Sequence, residues 1–336
     1  MCNTHHTRCF LFMPFTCVSS HTVQYEALAG YSAVIDRLGE LQEAMDSYIA
    51  DEPEEGKEGR SRILLTEGRT GVDEQLPLLE IRDLTLTTPD QQKTLVKDLS
   101  LQVHKRKSLF VTGPSGAGKT SLLRAIAGLW TYGEGSIALC GERIGGSSQD
   151  GDVMFVPQRP YMVLGTLRDQ LLYPTWSSIA EGNNPADGGT DNGSGHDGSR
   201  PVPSDDALKS VLSTVYLGEV LEKCKEGFPD RDPLDVNADW AARLSLGEQQ
   251  RLAFARVLLA NPRLVLMDES TSALDFENQS RLYKELQSHG ITFVSVGHRP
   301  SLKDFHEYTL QLMPPDNGRS PGAWILQKST SNTVSL

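Results

Sequence analysis

The chain has 336 residues with 32 Lys+Arg against 44 Asp+Glu, a formal net charge of −12. That acidity, without any basic stretch interleaved with aromatics, argues against a nucleic-acid partner. Hydrophobic residues make up 38%, no run approaches the roughly 20 apolar residues of a bilayer span, and Cys2, Cys9, Cys17, Cys140 and Cys224 show neither metal-ligand spacing nor a disulfide framework, so no transmembrane helix and a reducing compartment are expected.

Residues 1–24 lack any period and are expected to form a disordered leader. The apolar run Cys9 to Val18 is interrupted by Pro14 and has no basic start, so it does not read as a signal peptide. Over residues 25–50, Ala27, Leu28, Tyr31, Val34, Ile35, Leu38, Leu41 and Met45 recur at steps of three and four, which predicts an amphipathic helix. Residues 51–77, acidic and then polar, read as a linker. A larger domain is expected over 78–330. Period-two alternation from Leu79 and again from Leu99 to Val103 predicts strands, and the apolar run from Ser108 to Thr112 has the look of a buried parallel strand. A helix is predicted at Lys119–Leu129, with later strands at Ser136–Leu139, Val153–Val156, Leu264–Met267 and Thr292–Val296. Further helices are predicted at Leu167–Leu172, Asp206–Tyr216, Gly247–Leu259 and Asn278–His289. Strands alternating with helices imply an α/β core around a mostly parallel sheet. Residues 175–206 are mostly Gly, Asn, Asp, Ser and Pro and are expected to be a disordered insertion.

Three segments carry chemistry. Gly113-Pro114-Ser115-Gly116-Ala117-Gly118-Lys119-Thr120 fits G-x-x-x-x-G-K-[ST] between a strand and a helix, and Ser121 follows on that helix. Glycines let the backbone wrap closely on phosphate oxygens, the helix dipole adds positive potential, Lys119 can reach the β- and γ-phosphates, and the Thr120 hydroxyl can ligate Mg²⁺. Leu264 to Glu269 is an apolar strand ending in two carboxylates: Asp268 suits a Mg²⁺ contact and Glu269 suits a general base, although the pair alone could simply open a helix. Leu244 to Arg251 holds Ser245 as a helix cap with Glu248 three residues on, a capping box that is either only a well-started helix or, with Gly247, a second anion site.

The order phosphate loop, Gln158, Leu244–Arg251, Asp268-Glu269, Ser272-Ala-Leu-Asp275 and His298 resembles an ABC-transporter nucleotide-binding domain over about Leu79 to Leu312. Gly128-Leu-Trp130, Pro157 to Met162, Gly165 to Pro174 and Gly297-His-Arg-Pro300 are similar to subfamily D, the peroxisomal fatty-acyl half-transporters with plastid and bacterial relatives. Residues 31–40 resemble the cytosolic end of the last transmembrane helix in such proteins. The resemblance implies a P-loop NTPase fold of the ABC ATPase type, with a parallel-sheet core, an antiparallel β-subdomain and an inserted helical subdomain. It implies ATP and Mg²⁺ as ligands, catalysis by Glu269, His298, Gln158 and Lys119, and metal contacts from Thr120, Gln158 and Asp268. Two copies, or this chain and another ABC half-transporter, would close head to tail, with Ser245, Gly247 and Glu248 facing the other copy's nucleotide and Asp275 at the seam. The implied setting is an organellar membrane, plastid or peroxisomal, with this domain in the cytosol or stroma and the transmembrane domain outside the chain. Two departures from the pattern are Leu246 in place of the commoner glycine and Thr88 where many such domains place an aromatic against adenine. The rival readings are a non-transport ABC ATPase and a truncated chain that only dimerises.

Overall fold

The computed structural model describes residues 31–32, 34–40, 42–43, 62–67, 76–139, 153–176, 201–313 and 322–329. Two units divide the chain, Met1–Arg60 and Ser61–Leu336. In the first, residues 31–32, 34–40 and 42–43 are helical, and Tyr31, Val34, Ile35 and Leu38 are exposed. The rest of the helix expected over 25–50, the leader 1–24 and most of the insertion expected over 175–206 lie outside the described residues.

Strands of the second unit, in chain order, are β1 (Leu64–Glu67), β2 (Pro77–Thr87), β3 (Thr94–His104), β4 (Leu109–Thr112), β5 (Gly133–Leu139), β6 (Val153–Val156), β7 (Leu264–Asp268), β8 (Thr292–Val296), β9 (Tyr308–Leu312) and β10 (Trp324–Lys328). Its helices are α1 (Lys119–Ile126), α2 (Leu167–Leu172), α3 (Asp205–Thr214), α4 (Gly218–Gly227), α5 (Trp240–Arg243), α6 (Leu246–Ala260) and α7 (Phe276–Ser288). One sheet runs β1-β5-β2-β3 and is antiparallel except where β1 lies parallel to β5. The other runs β10-β9-β4-β8-β7-β6, parallel throughout save the edge strand β10.

Local sequence explains these elements. In β2, Leu79 and Ile81 point inward at period two until Asp83, at φ +48°, adds a residue and shifts the register against β3; Leu84 and Leu86 then resume the buried face. β4 lies between β9 and β8, so Leu109, Phe110 and Val111 are all buried, as a continuous apolar run requires in a strand covered on both faces. Between β6 and β7 the chain adds α2 to α6, and Leu167, Leu171, Leu208, Leu212 and Trp240 share one core with Leu252 and Phe254 of α6. Burying each such side chain contributes roughly 1.5–3 kcal/mol. With Leu252, Ala253, Phe254, Ala255 and Val257 all buried, α6 is covered on every side.

Several elements depart from the sequence reading, strand β9 and the short helix α5 among them, neither of which it predicts. The expected linker 51–77 contains β1 and the start of β2, because Ile63, Leu64 and Leu65 are a short apolar run that pairs along β5, with Ile63 buried. Helix α4 escapes periodicity: only Val220 and Cys224 are buried among its polar residues, and Leu217 supplies no side-chain cap. Edge strand β10 carries mostly exposed residues and therefore lacks a one-sided apolar pattern.

Behind the six-stranded sheet, His306 is 3% exposed and packs among Phe110, Tyr283 and Phe293, with ring centroids 5.0–5.5 Å away. Its Nδ1 lies 2.6 Å from the Leu302 carbonyl, while the buried Nε2 has no partner. Protonation would place an unsatisfied N–H in an apolar cage, so burial lowers its pKa from 6.5 to about 4. The unfolded chain then binds the proton more tightly than the folded one. The stability that neutral His306 permits is complete above about pH 6.5 and is lost as pH falls to about 4, a loss of roughly 3 kcal/mol at 1.36 kcal/mol per pH unit. Urea denaturation at stepped pH is expected to show this slope, and His306→Phe to flatten it; equal slopes in the two proteins would refute the assignment.

Candidate functional site

β4, β8, β7 and β6 are neighbours in the sheet, and their carboxyl ends open onto one edge, where α/β sheets bind ligands. From these ends come the phosphate loop after Thr112, His298 after Val296, Asp268 with Glu269, and Gln158 after Val156.

Backbone geometry shapes the phosphate loop. At Gly113, φ is +149° and a Cβ would lie 2.4 Å from the Leu312 carbonyl oxygen, so a side chain there would displace β9. Gly118 caps α1 at φ +89°, and its Cβ would lie 2.9 Å from Leu95 Cβ. Pro114, Ser115 and Gly116 are exposed, Ala117 is buried, and Ser121 is half-buried in the first turn of α1. No side chain caps α1 and its first turn holds no acidic residue, which leaves a helix N-terminus suited to an anion. Lys119 is 6% exposed, and its Nζ donates to the carbonyls of Gly113 at 3.0 Å and Pro114 at 2.9 Å. Burial lowers its pKa, against the opposing pull of Glu269 and Asp268.

Opposite the loop, Thr120 Oγ1 donates to Asp268 Oδ1 at 3.1 Å. Burial raises the Asp268 pKa, the Thr120 hydrogen bond counters it, and the adjacent Glu269 charge adds to the rise. A partly buried carboxylate beside a second one is relieved by a cation, which is the chemistry of a metal contact. Glu269 sits at φ +48° with its N–H on the Val296 carbonyl at 3.1 Å. Its carboxylate meets His298 Nε2 at 2.9 Å through Oε1 and accepts from Gln158 Nε2 at 3.3 Å through Oε2. The structure thus brings Lys119, Thr120, Gln158, Asp268, Glu269 and His298 to one edge.

The remaining candidates occupy other helix ends. Ser245 caps α6 in a reciprocal box: its Oγ accepts from Glu248 N at 3.3 Å, and Glu248 Oε2 accepts from Ser245 N at 2.9 Å. Ser245 and Leu246 are exposed, and a Cβ on Gly247 would lie 3.3 Å from the Ala273 carbonyl oxygen. Asp275 caps α7, accepting from Asn278 N at 2.7 Å, which holds its pKa down. Among the described residues no hydrogen bond or ion pair joins Ser245, Glu248 or Asp275 to the Lys119–Glu269 edge. Thr88 lies in the turn between β2 and β3, where its N–H donates to the Lys93 carbonyl at 2.9 Å. Sequence reasoning missed Gln250 and Arg299, which hold the loops on either side of Glu269; as a polar residue near a helix start and as the neighbour of His298, neither gives a spacing signal.

A glycine-built loop from a central parallel strand into an uncapped helix, with a buried lysine and a hydroxyl–carboxylate pair beside it, defines a P-loop nucleotide-binding domain. The sequence profile of the ABC transporter family matches residues 96–272. The chain belongs to this family, and the domain is its ATP-binding domain, with the ABC ATPase fold. It is 42% identical to ABC transporter D family member 2, chloroplastic, of Arabidopsis thaliana, over 90% of this chain and 45% of that protein. An uncharacterised ABC transporter ATP-binding protein of Synechocystis is 39% identical over 89% of this chain and 39% of its own length. A bacterial Atm1-family ABC exporter with ATP bound shares the fold, with a TM-score of 0.56 at 22% identity over 86% of this chain and 44% of that one. The chain therefore spans less than half the length of these relatives. Among the described residues, no helix is long and apolar enough to cross a membrane.

Proposed function

We propose that this chain is the ATP-hydrolysing part of an ABC half-transporter of the D type, and that it pairs with a second copy or with another half-transporter. The proposed setting is an organellar membrane of plastid or peroxisome, with the domain in the cytosol or stroma and fatty-acyl or other lipophilic or carboxylate cargo. The observation that carries the ATPase reading is the Glu269 carboxylate, held by Gln158 and His298 beside the Thr120–Asp268 pair.

The residues fit ATP with Mg²⁺: the α1 N-terminus is uncapped, Lys119 is a buried cation whose Nζ donates to two loop carbonyls, and Asp268 is a desolvated carboxylate. Thr120, Asp268 and Gln158 would hold the metal, which when bound neutralises charge on the β- and γ-phosphates. Lys119 exchanges its carbonyl partners for phosphate oxygens, and the amides of Ser115 to Ser121 cradle the remainder. Glu269 takes the proton of the attacking water, Gln158 orients that water, and His298 bridges to the γ-phosphate. Ser245, Gly247 and Glu248 of the other copy close the site from across the nucleotide, and Asp275 organises the seam.

Metal-dependent basal ATPase of the purified chain tests the reading, because a chain that only dimerises would bind without turnover. Lys119→Ala is expected to weaken ATP binding roughly 10- to 100-fold, since hydrogen bonds to charged groups contribute about 1.5–3 kcal/mol and each 1.4 kcal/mol is tenfold. Calorimetric titration measures this, and an affinity within about twofold of the parent would sink the phosphate-loop assignment.

A further inference from the structure

We propose that Gln250 is a positioning residue for Glu269, a role that rests on the ATPase reading above. The side chain lies in the first turns of α6, two residues past the capping box, and is fully buried. A primary amide in the interior is tolerated only with its hydrogen bonds made. Here they go to two separate loops. Its Nε2 donates to the Gln158 carbonyl at 2.8 Å and to Ser272 Oγ at 3.2 Å, and its Oε1 accepts from Ala273 N at 3.0 Å.

Each of those loops also touches Glu269. Gln158 donates its side-chain amide to the Glu269 carboxylate, and Ser272 N donates to the Glu269 carbonyl at 3.0 Å. A second brace closes the circuit. Arg299, next to His298, donates to the carbonyls of Ser272 at 2.9 Å and Leu274 at 2.6 Å. The ring of contacts runs Glu269, Gln158, Gln250, Ser272, Arg299, His298 and back to Glu269, with the Arg299–His298 step made by the chain itself.

Glu269 needs such bracing, because its φ of +48° is uncommon for a residue with a side chain and persists only where the surroundings over-determine it. Gln250 belongs to the helix that Ser245 caps, so a shift of α6 would move the Gln158 and Ser272–Ala273 loops together and change the aim of the carboxylate. A side chain that served only to knit the fold would leave that aim alone.

The test compares Gln250→Leu, of similar size without hydrogen bonds, with the parent chain. In the nucleotide-free protein, hydrogen exchange at the Ser272 and Ala273 amides is expected to quicken at least tenfold, while the amides of α6 from Leu252 to Leu258 keep their protection. Turnover should fall about 10- to 100-fold with the KM for ATP within threefold. In a Glu269→Gln background the same substitution should change residual turnover less than threefold, because a residue acting through the base has nothing left to position. Exchange that loosens all of α6, or effects of the two substitutions that multiply, would overturn the proposal. If Gln250→Leu does not fold, Gln250→Met, which also lacks the donor to Gln158 and the acceptor for Ala273 N but is more adaptable in shape, replaces it under the same criteria. Should the parent chain show no ATPase, the functional reading fails by itself, and exchange at Ser272, whose acceptor is the Glu269 carbonyl, still decides whether Gln250 holds that turn.

Discussion

Glu269→Gln is expected to keep ATP binding and to lose turnover by roughly 10²–10⁴-fold, the range for removing a general base. The amide preserves the size of the side chain and can still accept from Gln158 through its oxygen, so the loop geometry around position 269 should survive. What it loses is basicity, together with the charge that meets His298 Nε2 at 2.9 Å. Asp268, by contrast, should ionise more readily once the neighbouring charge is gone, since Glu269 contributes to its raised pKa. Metal and nucleotide affinity are therefore expected to hold within a few-fold, and nucleotide-bound dimers to accumulate. Single-turnover measurement with radiolabelled ATP reads the chemical step directly. Turnover within tenfold of the parent would move the base to another group.

How far the site could be read from sequence depended on how local its geometry is. The phosphate loop was legible because the strand, the glycines, Lys119 and α1 are contiguous, and the backbone angles at Gly113 and Gly118 are those that only glycine adopts without strain. The box of Ser245 with Glu248 was legible for the same reason: both of its bonds span three residues. Partners far apart in the chain were less so. Thr120 and Asp268 are separated by 148 positions, and Gln158 and Glu269 by 111; the first meeting was expected from the place of Asp268 at a strand's carboxyl end, the role of Gln158 only from family resemblance. Gln250 left no trace at all. Its amide acts on Gln158 and Ala273 from between two other polar residues, Gln249 and Arg251, and a buried glutamine has the same letters as an exposed one. β1 was lost because the context of 51–77 is polar, whereas pairing with β5 depends on a strand some seventy residues away.

Inactive variants of different sites are expected to restore one another if two copies share each nucleotide. Within one chain Lys119 opens α1 and Ser245 caps α6, and no hydrogen bond among the described residues joins them. If both act on one ATP, they do so from different chains. Lys119→Ala spoils both phosphate loops of a homodimer, and Ser245→Arg spoils both caps by bulk and charge at an exposed position. A mixed dimer collects both lesions at one nucleotide and leaves the other with an intact Lys119 and an intact Ser245. Fusing two copies through a linker long enough to span them holds the pair together at high effective concentration. The fusion with one lesion per copy is expected to recover a sizeable fraction of parental ATPase, from a background in which each single-variant homodimer is silent. A fusion carrying both lesions on the same copy damages both sites and should stay silent. Activity in that control, with silence in the split arrangement, would place Lys119 and Ser245 in one subunit's site and refute head-to-tail pairing. Silence in both, from a fusion that sediments as a closed pair and binds ATP at one site, would mean that the two sites fire only together.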